Sequence, residues 1–172
     1  LEQVGYDTYC NLLDEVVREI QGEKVIPEID VQIDLDVTSY IPDEYISDSS
    51  QKIEMYQDIA LCKNEEDIQN VVDEMIDRFG NMPNEIENLL DIARIKILCK
   101  KLNISKVQGR RNFVLFMFEA GELNIDINEL VKKYRNRIKF TQGIKPQITL
   151  TLQNSTEKGC LRETIEFLKE LI

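Results

Sequence analysis

The 172-residue chain contains no histidine. That removes the commonest general base and the commonest metal ligand together. Phosphate-cradling loops are missing as well: neither G-x-x-x-x-G-K-[ST] nor G-x-G-x-x-G occurs, and there is no G-x-S-x-G nucleophile elbow. Seven glycines stand singly at turns. The cysteines Cys10, Cys62, Cys99 and Cys160 are scattered without C-x-x-C spacing, each in an apolar helical pattern. They read as buried free thiols in a reducing, cytoplasmic setting, not as disulfides or metal ligands. No apolar run approaches the ~20 residues needed to cross a bilayer, and no charged-then-apolar leader opens the chain. The expectation is a chain with no catalysis, cofactor, metal or membrane span of its own. A first residue of Leu reads as a piece of something longer.

What is there fits one ordinary domain, or one domain with a linking helix. Hydrophobic residues make up 42% and charged residues 31%, a globular rather than a disordered balance. The net charge of −11 hides an asymmetry: residues 1–91 hold 24 Asp and Glu against 5 Lys and Arg, while residues 92–172 hold 8 against 16. The first half should repel nucleic acid and attract a basic protein surface, and the second could do the reverse. Salt bridges between the halves of one fold would absorb part of the difference.

The pattern runs from helices to strands. Residues 4–20 read as an amphipathic helix ended by Gly22, and 23–30 as a linker. Val31 to Leu35 alternates with period two, as a half-exposed strand does. Asp48 or Ser49 caps a helix to about Leu61. Helices over 65–79 and 84–102 follow. In the first, Val72, Met75, Ile76 and Phe79 form the apolar stripe, and Gly80 stops it. Asn84-x-x-Glu87 reads as a capping box for the second. There, Ile86, Leu89, Leu90, Ala93 and Ile97 form one face, and Ile92, Ile95, Cys99 and Leu102 much of another. So wide an apolar arc predicts a central, buried helix. Residues 105–110 and 113–118 predict a hairpin turning near Arg111-Asn112. Asp126-x-x-Glu129 opens a helix to about Tyr134, strands 138–140 and 147–152 flank the Gly143–Pro146 turn, and a last helix spans about 157–171, with Leu161, Ile165, Leu168 and Ile172 inward. The fold class is α+β: a helix-rich N-terminal half around a buried central helix, then a small, mostly antiparallel sheet with flanking helices.

Ile76-Asp77-Arg78-Phe79-Gly80-x-Met82-Pro83-x-Glu85-x-x-Asn88-Leu89-Leu90-x-x-Ala93-Arg94 resembles the C-terminal (TRCF) domain of the bacterial transcription–repair coupling factors, the Mfd family. So does Tyr40-Ile41-Pro42-Asp43-Glu44-Tyr45-Ile46-x-Asp48, followed by Lys52, Tyr56 and Ile59. Val4-Gly5-Tyr6-Asp7-x-Tyr9-Cys10-x-Leu12-Leu13 looks like the family's join to its translocase core. The resemblance covers residues 4–104, and from 105 onward only the element order. It implies a linking helix at 1–22, an extended linker and strand at 23–50, and a compact regulatory domain at 51–172. It implies a parent that displaces stalled RNA polymerase using ATP and recruits excision repair through UvrA. In that family the C-terminal domain docks on the N-terminal, UvrB-like module of the same chain and masks its UvrA-binding surface. UvrA and RNA polymerase would be indirect partners, with the translocase core adjoining.

On physics alone, Glu74, Asp77 and Arg78 are a solvated helix face before a turn. Under the resemblance they are the interdomain contact, because i, i+3, i+4 spacing can present two carboxylates and a guanidinium together. The alternative is an accessory nucleic-acid-binding domain using Lys132, Lys133, Arg135 and Arg137, with Tyr134 and Phe140 interleaved as in single-strand binders. The acidic half opposes that reading, and cations at a helix C-terminus need no ligand.

Overall fold

A computed structural model describes residues 29–119, 123 and 125–172. The expected helix at 4–20, the start of the linker and Cys10 lie outside these residues. The described elements are β1 (Gln32–Asp34), α1 (Ser49–Ala60), α2 (Glu65–Phe79), α3 (Asn84–Leu102), β2 (Ile104–Arg110), β3 (Phe113–Phe118), α4 (Ile127–Tyr134), a 3-10 turn (Arg135–Arg137), β4 (Ile138–Thr141), β5 (Gln147–Thr151) and α5 (Glu157–Glu170). The architecture is α+β, as expected.

Two compact units emerge: residues 38–97, and residues 29–37 with 98–172. The segments 23–50 and 51–172 marked out from the sequence are each divided between them.

The first unit packs α1, α2 and most of α3. Asp48 caps α1 by accepting from the Gln51 N–H, and Asn64 caps α2 by accepting from the Asp67 N–H. Ile41, Ile46, Met55, Ile59, Ile68, Val71, Met75, Ile86, Leu89 and Leu90 make one buried cluster. The inward stripe of α2 is Ile68, Val71 and Met75, which corrects the sequence reading. Val72 and Phe79 lie half-buried beside it, and Ile76 is 44% exposed. Periodicity gives the width of an apolar face, and the neighbouring helices decide which edge of it is covered. The capping box at Asn84 is corrected too. Asn84 is already helical, and the Pro83 carbonyl accepts the first bonds, from the Ile86 and Glu87 N–H groups. The central helix α3 is apolar on more than one side, with Ile92, Ile95 and Cys99 buried alongside the cluster face.

The second unit is a five-stranded sheet in the order β1-β2-β3-β5-β4. All pairings are antiparallel except β1 with β2, which is parallel with Ile33 opposite Val107. In β3, Val114, Phe116 and Phe118 point into the core and alternate with half-buried neighbours. Phe167 of α5 closes that core, its ring 5.1 Å from Phe116 and 5.2 Å, edge-on, from Tyr134. The inward face of α5 is Leu161, Thr164, Phe167, Leu168 and Leu171; Ile165 is half-buried and Ile172 is 66% exposed, contrary to expectation. Phe167, not Ile165 or Ile172, carries the packing there.

Candidate functional site

The end of α2 is held by several contacts among the described residues. Gly80 leaves the helix at φ 87°, a left-handed conformation that favours glycine, and its N–H closes on the Ile76 carbonyl. Tyr45 reaches across from the preceding segment. Its hydroxyl donates to the Gly80 carbonyl at 2.7 Å and shares that proton with the Met75 carbonyl at 3.1 Å. Its ring packs 5.8 Å from Phe79. Burial raises the Tyr45 phenol above its ordinary value of 10.0, so it remains a donor at neutral pH.

On this held end, the expected triad divides. Glu74 and Arg78 pair at 3.3 Å along the helix, and the same guanidinium reaches Glu54 of α1 at 3.5 Å while lying 4.9 Å over the Phe79 ring. Asp77 is not part of that group; it is exposed and makes no hydrogen bond or ion pair among the described residues. Two further acids belong to the cluster. Glu54, Asp58 and Glu74 bring carboxylate oxygens within 4.8 Å of one another. Burial first, and then Glu74 and Glu54, raise the Asp58 carboxyl above its usual 3.8, with Arg78 acting against them. Glu54 and Asp58 were missed from sequence, although their i, i+4 spacing on α1 was visible; their meeting with α2 is a tertiary event. The guanidinium supplies the positive charge such a cluster calls for.

The basic run of the second unit is shared with acids. Lys132 pairs with Glu129 at 3.4 Å, Lys133 with Glu170, and Arg137 with Glu163 at 2.8 Å. The hydrogen bond to Glu170 holds the Lys133 ammonium above its ordinary range. Arg135 ends α4 at φ 52° and is exposed. Tyr134 is buried against Phe167 and flanked by Lys133 and Arg137, so its faces serve the core. Phe140 is half-buried on β4. These residues therefore do not form an open stacking platform.

A cleft of about 350 Å³ in the second unit is lined by Asp36, Arg110, Arg111, Asn112, Thr156 and Cys160 among others. Burial pushes the Cys160 thiol up, away from the thiolate a nucleophile requires.

A family model described as the TRCF domain matches residues 35–130. The chain is 35% identical, over all of its length, to the transcription-repair-coupling factor of Rickettsia typhi, and 30% identical over 99% of its length to that of Bacillus subtilis. It spans about 15% of each of these relatives. Its fold is similar to a solved structure described as the crystal structure of the C-terminal domain of transcription-repair coupling factor. That match has a TM-score of 0.74 and 24% identity, covering 86% of this chain and 95% of that one.

Proposed function

The chain belongs to the TRCF domain family, and from that membership we propose that it is the non-catalytic C-terminal regulatory domain of an ATP-driven DNA translocase acting in transcription-coupled repair. It acts as a clamp. It docks on the N-terminal, UvrB-like module of its own chain and masks the UvrA-binding surface until the parent engages stalled RNA polymerase. Its working place is the cytoplasm, and it holds no cofactor.

The observation that carries this reading is the acidic end of α2, tied to Tyr45. Tyr45 and Gly80 hold it from within the unit, and Asp77 is exposed and makes no bond among the described residues. Glu74 pairs with Arg78 at 3.3 Å and keeps 44% of its side chain exposed. A releasable latch needs a modest, polar contact: interfaces of about 600–1,500 Å² within one chain, and couplings of about 1–3 kcal/mol, suit such a switch.

Calorimetric titration of this chain into the UvrB-like module, at two salt concentrations, tests the proposal. Salt-sensitive binding that the Glu74→Lys, Asp77→Lys double variant abolishes is the expected result. Equal binding by the variant overturns the assignment. So does the absence of binding when the two are joined by a flexible linker, where effective concentrations reach about millimolar.

A further inference from the structure

Asp73, Ile76 and Asp77 stand at i, i+3 and i+4 of α2, which places them on one stripe, and all three are exposed. The stripe turns away from the buried residues Ile68, Val71 and Met75. It is also distinct from the flank where Glu74 and Arg78 meet Glu54 of α1. A branched apolar side chain, 44% exposed, thus stands beside two carboxylates on a helix whose end is pinned by Tyr45.

A single exposed isoleucine is ordinary on any surface. Its surroundings set this one apart. Among the described residues, Asp73 is engaged only by Gln69 of its own helix, at 2.9 Å, and Asp77 makes no bond. The helix carries Glu65, Glu66, Asp67, Asp73, Glu74 and Asp77 against one cation, Arg78. Asp73 and Asp77 on the stripe repel phosphate backbones and anionic membranes alike, which leaves a basic protein surface as their complement.

We propose that Ile76 is the anchor of the docking face, and that its occupant is a protein surface presenting an apolar spot ringed by Lys or Arg. This rests on the clamp reading above and adds to it where the contact is centred and what chemistry the partner offers. The division of labour is physical. The carboxylates of Asp73 and Asp77 set register and speed encounter, and their contribution weakens with salt. Ile76 excludes water from the middle of the contact, which lowers the local dielectric and strengthens the charge pairs at its rim. An apolar anchor of one residue holds the latch closed without exposing a large greasy patch when it opens.

The test is calorimetric titration into the UvrB-like module of the wild-type chain, Ile76→Ser, Ile76→Leu, and Asp77→Asn. Ile76→Ser is expected to weaken binding by about tenfold or more, with the melting temperature and the salt dependence unchanged, and Ile76→Leu to restore it. Asp77→Asn is expected to weaken binding less and to flatten the salt dependence. If Ile76→Ser binds as the wild type does, while the Glu74→Lys, Asp77→Lys variant does not, the anchor is overturned and the clamp stands. If the wild-type chain fails to bind even when linked to the module, both are overturned.

Discussion

Tyr45 and Gly80 are bound to one another across 35 positions of sequence, the phenol hydroxyl donating at 2.7 Å to the glycine carbonyl. Helix ends leave carbonyls without partners, and this one is satisfied by a side chain from a different segment. The bond joins the segment before α1 to the corner after α2.

Tyr45→Phe keeps the ring against Phe79 and removes only the hydroxyl. The expected cost is about 1 kcal/mol, seen as a lower urea midpoint with an unchanged slope.

Asp58 sets a pH dependence. Its carboxyl is raised by burial and then by Glu74 and Glu54, so the folded state favours the protonated form more than the unfolded chain does. A raised group contributes stability that is full below its unfolded value, 3.8, and lost as pH rises through the folded value. At neutral pH the Asp58 charge therefore costs the fold. Asp58→Asn is expected to raise the urea midpoint at pH 7 and to leave it unchanged once the pH is below about 3.8.

Gly159 lies in the first turn of α5, where replacing glycine by alanine in a helix ordinarily gains about 1 kcal/mol. Here the added carbon would stand 2.5 Å from the Asn154 carbonyl oxygen, a backbone atom that cannot swing aside. Gly159→Ala is expected to destabilise the protein, by roughly 1–3 kcal/mol, and a thermal melt would show the sign.

Glu163 is the node of the second unit. Its carboxylate takes Arg137 at 2.8 Å and the N–H groups of Gln153 and Asn154 at 2.9 and 2.8 Å, with the side chain only 11% exposed. Arg137→Ala is expected to cost about 1–2 kcal/mol by leaving a nearly buried carboxylate short of its cation. Lys132→Ala, whose pair with Glu129 is solvent-exposed, should stay within about 0.5 kcal/mol. Denaturant titration of both variants separates a structural cation from a surface one.

Much of this was legible in advance. The run from Phe113 to Phe118 is strand β3 to the residue, because a short apolar run between turn signals has few other uses. Asp48 and Asp126 cap the helices assigned to them, since a short acidic side chain before an apolar period satisfies the first free N–H groups locally. What was not legible depends on partners distant in sequence. Nothing local in Gln32–Asp34 specifies a parallel neighbour more than seventy residues later. Ile76 belongs to the apolar period of α2 and is nonetheless exposed, because the α1 and α3 residues that could cover it pack on Ile68, Val71 and Met75. Within the candidate site, Glu74 and Arg78 were recognisable as a pair, but the contribution of Glu54 and Asp58 required the crossing of two helices.

The parallel rungs between β1 and β2 have a mechanical meaning. The chain forms β1, departs for the whole of residues 38–97, and returns to lay β2 beside it, so three paired positions close a loop whose partners Ile33 and Val107 lie 74 positions apart. Within the second unit, tension applied along β1 from its N-terminal side is carried by that short ladder. Loaded along the strand, its rungs must shear together, whereas a sideways pull would open them one by one. A strand of three residues is thus a fuse as well as an edge, and the direction of pull decides the force at which it fails.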